Sequence, residues 1–91
     1  MTRLSPHGER IEAWNDPRQA AAEGAPPGFH WQGEPHRILE VCNHWRIHAQ
    51  WWEGGQGVWR EYFKVTTDSG LLCLIYHDLP SGGWFLSRVY D

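Results

Sequence analysis

Six histidines and two cysteines carry the most versatile side chains of this sequence. His44 and His48 have the H-x3-H spacing that puts two imidazoles on one face of a helix, where a zinc ion can take both. Cys42 stands two residues before His44, and Cys73 four before His77, so thiol–imidazole pairs exist on paper. The surrounding residues argue against both chemistries. The segment 36–49, "HRILEVCNHWRIHA", reads as a strand, and on a strand residues i and i+4 share a face but lie roughly 13 Å apart, too far for one metal ion. No nucleophile elbow or paired-carboxylate motif is present. "GGQG" at 54–57 is followed neither by Lys-Ser/Thr nor by a helix start, so it is no phosphate loop. The expectation is a chain with no metal, no cofactor and no enzymatic activity. Two cysteines make no disulfide framework, and both are expected to be small buried hydrophobes.

A second set of residues suits binding. The stretch "NHWRIHAQWW", 43–52, holds three of the seven tryptophans and two histidines. Segment 58–67 alternates, with Trp59, Phe63 and Val65 on one face and Arg60, Tyr62 and Lys64 on the other. His44, Arg46 and His48 share a face of their strand, and Trp84, Leu86, Arg88 and Tyr90 share one of the last strand. If these strands align, Arg46, Arg60, Tyr62, Lys64, Trp84, Arg88 and Tyr90 form a surface of cations and aromatic plates. Such a surface can grip an acidic peptide or stack the bases of a single strand.

The elements that must position them are strands. Runs at 9–14, 28–32, 36–49, 58–67, 71–77 and 84–90 are joined by short turns, with a hairpin at Gly33-Glu34-Pro35 and a tight turn at Asp68-Ser69-Gly70. The apolar positions of 36–49 do not hold one period, and a bulge near Val41 to Asn43 would shift the phase. Segment 71–77, "LLCLIYH", is apolar on both faces, as a central strand would be. Residues 16–27 are Ala, Gly, Pro and charge, and read as a mobile loop. The expected fold is all-β: a small antiparallel meander of about six strands forming a bent or partly closed barrel, with an SH3-like barrel the nearest named architecture. Alternation on 84–90 assigns Phe85 and Val89 to the core and Trp84, Arg88 and Tyr90 to the outside. Adjacent Trp51 and Trp52 point to opposite faces of an extended chain, and Trp45 is expected inside.

At 91 residues the chain is one domain, 1–91. Its net charge of −3 gives no global attraction to nucleic acid or to an anionic membrane. No apolar run approaches the roughly 20 residues that span a bilayer, and "MTRLSPHGER" lacks the apolar core of a signal peptide. A cytoplasmic protein with no membrane partner is the expectation.

"HWRIHAQWWEG", then "EYFKVTTDSGLLCLIYHD", then the final "GGWFLSRVYD" resemble a small uncharacterised bacterial domain family. A similar segment ends the ImuB-type proteins, the inactive Y-family polymerase relatives of mutagenic repair. The likeness spans 29–91, with Trp51, Trp52, Trp84, Phe85, Tyr90 and Asp91 matching best; residues 16–27 depart from it as an insertion. The resemblance implies a non-enzymatic interaction or adaptor module accessory to bacterial DNA-damage tolerance, with a mutasome-type protein as partner. The alternative is a small β-barrel that binds single-stranded nucleic acid.

Overall fold

Alternating apolar and polar residues, interrupted by Gly, Pro and Asp, produce strands too short and too one-sided to stand alone, and the chain closes them on each other. The computed structural model describes residues 3–14, 24–50 and 57–90. They form six strands: β1 (Arg3–Ala13), β2 (Gly28–Trp31), β3 (Glu34–Gln50), β4 (Gly57–Thr67), β5 (Leu72–Asp78) and β6 (Trp84–Tyr90). Each pairs antiparallel with its neighbours in sequence, and β1 pairs with β6 to close a barrel. The expected all-β meander is therefore a closed barrel. β1 begins six residues earlier than the sequence indicated, at Arg3. Trp51, Trp52 and residues 16–23 of the expected loop lie outside the described residues.

The core fills the barrel. Phe29, Phe63, Val65, Cys73 and Ile75 are fully buried, joined by Ile11, Ile38, Leu86 and Val89. β5 is buried on both sides: Cys73 and Ile75 face in, while Leu74 and Tyr76 are covered on the outside. Ala25, Pro26 and Pro27, expected in a mobile loop, are buried, and the Pro27 carbonyl accepts the Ile38 N–H at 2.9 Å. Small and cyclic side chains with no rotamer entropy to lose suit such a close approach of chain to barrel.

Three one-residue insertions decide which side chains face in. On β3, Ile38 pairs with Thr67 and Glu40 with Thr66, so Leu39 has no partner; Val41 pairs with Val65 and Asn43 with Lys64, so Cys42 has none either. Each bulge turns the strand by one position. Ile38, Val41 and His44, three residues apart, all face the same way as the core residues opposite them. The phase change expected near Val41 to Asn43 is thus present, but its side effects correct two expectations. Cys42 is exposed rather than buried, and Trp45 stands on the outer face, stacked on Tyr62 at 5.4 Å.

The third insertion is in β6. Leu74 pairs with Arg88 and Ile75 with Leu86, leaving Ser87 unpartnered. Val89 and Leu86 both face in, so Trp84 faces in and Phe85 out. This reverses the assignment from simple alternation. Trp84 packs against the core beside Phe63, ring centroids 5.7 Å apart. Phe85 lies on the outer face, stacked on Tyr76 at 5.1 Å. Gly8 of β1 passes over this pair: a Cβ there would sit 2.6 Å from Tyr76 Oη, and its φ of +73° is one that side-chain-bearing residues avoid.

The two ends of the barrel differ. At one, β2 and β3 meet at a tight turn where Gln32 and Gly33 both have positive φ, 52° and 76°. Two successive positive φ values are the signature of a hairpin turn whose twist matches its strands. The turn lies one or two residues before the expected Gly33-Glu34-Pro35, and Glu34 and Pro35 already belong to β3. At the other end β3 becomes an edge strand: β4 is still paired with β5 as far as Arg60, and beyond it residues 48–50 and 57–59 run on as a short arm. β2 has only four residues and pairs with Glu34 to Arg37, so beyond Ile38 the only strand partner of β3 among the described residues is β4.

Candidate functional site

The candidate surface expected from sequence divides between the two faces of the wall. Outside lie Arg60, Tyr62, Lys64, Arg88 and Tyr90. Trp45, Tyr62, Tyr76 and Phe85 form a row of rings across β3 to β6, with centroids 5.4, 5.2 and 5.1 Å apart in turn. The cations lie on Tyr76 of this row and on Tyr90 beside it. The Arg60 guanidinium is 4.4 Å from the Tyr76 ring centre, Lys64 Nζ is 4.9 Å from Tyr90, and the Arg88 guanidinium is 5.6 Å from Tyr90. Leu74 sits between Lys64 and Arg88 in the register. Their carbon stems help cover it. Burial pulls the Arg60 pKa down, but the Tyr62 hydroxyl and the surrounding partial and full negative charges more than offset this and raise it. Burial raises the Tyr76 phenol. Arg60, Lys64, Arg88 and the two tyrosines thus work as a lid over the outer side of β5.

Arg46 and Trp84 are on the other face. Arg46, with His44 and His48, lines the inner face of the arm and the barrel mouth. Glu61, which sequence reasoning did not single out, joins them: its carboxylate is 2.9 Å from His44 Nε2 and 3.0 Å from Arg46. Burial alone would raise the Glu61 carboxyl, but the hydrogen bonds and charges of His44 and Arg46 hold it below the usual carboxylate range. His44 also stacks on Phe63 at 4.5 Å, and His77 on Trp84 at 4.4 Å. Further out on the arm, His48 meets Trp59 at 5.3 Å.

The arm exposes backbone as well as side chains. Leu79 donates its N–H to the Trp59 carbonyl, so the backbone polar groups of Trp59 face the β5 side. In an antiparallel ladder, its partner His48 then turns its own N–H and C=O away from β4. Alternation puts the backbone of Arg46 and His44 on that same open edge. The His44 N–H is taken by its neighbour's Asn43 Oδ1 at 2.9 Å. The Arg46 and His48 groups face outward from the wall. Leu39, Ile47 and Trp59, at 64, 39 and 43 % exposure, are the exposed large hydrophobics here.

Nothing among the described residues forms a group of three or more metal-ligating side chains. His44 and His48 share a face, but their other neighbours are Glu61, Arg46 and aromatic rings. Burial pushes the Cys73 thiol up to about 12, which leaves it protonated and unreactive at neutral pH. No described helix is long and apolar enough to cross a membrane.

A family described as a domain of unknown function, DUF6504, matches residues 3–91. The chain belongs to this family. No curated protein and no solved structure matches it. The match covers the whole barrel, so the arm, the ring row and the bulged strands of this DUF6504 domain all lie within the matched span.

Proposed function

We propose that this DUF6504 domain is a non-enzymatic interaction module that takes an extended segment of a protein partner along the open edge of β3. The observation that carries the reading is that edge. It continues past the barrel, it has outward backbone groups at Arg46 and His48, and exposed Ile47 and Trp59 flank it. Exposed edges invite an added strand, with main-chain hydrogen bonds for affinity and flanking side chains for selection. The Arg46 guanidinium, its side chain 56 % exposed, favours a segment carrying Asp or Glu. The Arg46 side chains of two copies oppose each other if the edges pair, which disfavours self-association. The resemblance to the end of ImuB-type proteins supports a partner in bacterial DNA-damage tolerance. On the nucleic-acid alternative, Arg60 already occupies the Tyr76 ring and Lys64 and Arg88 the Tyr90 ring, which takes two of the outer rings away from bases.

Partners captured from cells with and without DNA damage, by wild type and by His48→Pro, test the reading. Proline at His48 removes an outward N–H and leaves the β3–β4 ladder its own bonds. The captured partner segment should bind wild type with slowed amide exchange at Arg46 and His48, and should bind His48→Pro at least tenfold more weakly. Equal binding to both would reject the edge. Single-stranded DNA binding with a steep salt dependence would favour the alternative.

A further inference from the structure

The open edge of β3 has two unlike sides, and an added strand meets both. Beyond the bulge at Cys42 the pairing of β3 with β4 runs unbroken from Asn43 to Gln50, so its side chains alternate strictly there. Trp45 and Ile47 face outward. Arg46 lies between them and faces inward, toward Glu61. Ile47 is exposed. Trp45 lays one ring face on Tyr62, with the planes 6° apart, and so brings the outer row of rings up to the edge strand. The exposed Arg46 side chain gives one nitrogen to Glu61 at 3.0 Å, and a guanidinium carries five N–H donors.

The backbone decides where an added strand comes closest. Arg46 and His48 turn their N–H and C=O groups to the edge, so residues opposite them in an antiparallel partner form the hydrogen-bonded pairs. Residues opposite Trp45 and Ile47 then form the non-hydrogen-bonded pairs, in which Cα atoms are only about 4.5 Å apart and side chains are nearest. The closest side-chain contacts thus fall on the two apolar residues, and the residue between them falls opposite the guanidinium. At His44 the N–H is already taken by Asn43 Oδ1, so it offers an incoming strand no donor. The stretch that can be read therefore begins at Trp45.

We propose that the β3 edge selects a partner segment of alternating character: an aromatic residue opposite Trp45, Asp or Glu opposite Arg46, and a β-branched apolar residue opposite Ile47. In an antiparallel partner this reads, from its N-terminus, β-branched, acid, aromatic. The aromatic ring extends the outer row by one strand, the branched side chain covers Ile47, and the carboxylate takes guanidinium donors that Glu61 leaves over. The inference rests on the β3 edge being the binding site and adds the pattern that this edge selects.

The test is a titration of the isotope-labelled 91-residue protein with end-blocked heptapeptides. Each carries Val-Glu-Phe, Val-Lys-Phe, Thr-Glu-Thr or the permuted Glu-Val-Phe at the centre of a threonine frame. Saturable amide shifts centred on Trp45 to His48 are expected with Val-Glu-Phe. Exchanging its Glu for Lys, exchanging both apolar residues for Thr, or permuting the order should each weaken binding about fivefold. Arg46→Gln, at an exposed position, should keep the fold and bind Val-Glu-Phe and Val-Lys-Phe alike. Ile47→Thr should narrow the gap between Val-Glu-Phe and Thr-Glu-Thr. Peptides that all bind wild type alike and all lose binding to His48→Pro would overturn the pattern and leave the edge standing. So would a preference for Glu over Lys that survives in Arg46→Gln. Peptides that bind His48→Pro as well as wild type, or that give no saturable shift, would overturn the pattern and the edge together.

Discussion

β3 and β4 run the length of the molecule, yet their two ends behave as different kinds of structure. At the closed end the backbone is satisfied from both sides. Arg37 donates its N–H to the Asp68 carboxylate at 3.0 Å and its C=O accepts the Asp68 N–H at 2.9 Å, while Ile38 donates its N–H to the Pro27 carbonyl. At the other end β4 is still paired with β5 as far as Arg60, but β3 has β4 as its one strand partner among the described residues. One end spends its polar side chains on the fold, on Asp68, Ser69 and Thr67; the other presents His44, Arg46 and His48 beside an open edge. The comparison teaches that closure of a small barrel need not run its full length. A β2 of four residues seals one end and leaves the other available.

The largest effect should come from the core that both ends share. Phe63→Ala, at a fully buried position, is expected to cost about 3–5 kcal/mol, enough to unfold much of a small domain. Phe85→Ala, on the outer row, should cost about 1–2 kcal/mol through its lost ring contact and area. Urea melts of the two variants check this, and the reverse order would mean that the bulge at Ser87 is misplaced.

A pair of prolines separates the ends directly. Arg37→Pro removes a donor to a carboxylate and should cost about 2–3 kcal/mol. His48→Pro, on the open edge, should cost less than about 1 kcal/mol. Similar losses from both would show that the arm is paired in solution, by a second copy or by another segment.

Glu61 sharpens the chemistry of the mouth. Its folded-state pKa is lowered, so its contribution is fully present above the ordinary value of 4.5 and is lost as pH falls through the lowered folded value. The stability gap between wild type and Glu61→Gln should therefore be constant at neutral pH and shrink in acid below about 4.5. Thermal melts across that window read it, and a gap unchanged down to pH 2 would rule out the link.

The smallest effect is expected from the segment between β1 and β2. Replacing residues 16–23 by a short Gly-Ser linker should change stability by less than about 1 kcal/mol, since each doubling of loop length costs only about 0.6 kcal/mol. Extending the replacement through Ala25, Pro26 and Pro27 should destabilise the barrel clearly, because these three are buried.

How much of this was legible beforehand depends on whether a residue's role is local. The strands, the burial of β5 on both faces and the alternation of β4 follow from side-chain type and period, and sequence reading finds them. Trp84, Phe85, Cys42 and Trp45 were misassigned because each lies beside a bulge. A bulge is a property of pairing: nothing in "WFLSRVY" says that Ser87 lacks a partner until β5 is laid beside it. Arg46 was correctly grouped with its neighbours on β3, but its separation from Arg60, Tyr62 and Lys64 is a matter of register. Glu61 was passed over because a lone glutamate in an alternating strand reads as solvated. His36, Ser69 and Thr67 were missed for a similar reason: 33 residues part His36 from Ser69, and no spacing rule connects them.

The bulge at Ser87 makes β6 sensitive to counting. Exchanging one residue for another alters a single contact. Removing Ser87 or Arg88 takes out the extra residue and restores strict two-beat alternation with Trp84, Leu86 and Val89 still facing in. A letter lost between Trp84 and Leu86 instead puts these two side by side, and one of them turns into solvent. The lineage of such a strand can drift in composition while its length is held on one side of the bulge, so gaps in related sequences should fall at 87–88 or in the turn at 79–83, and not between Trp84 and Leu86.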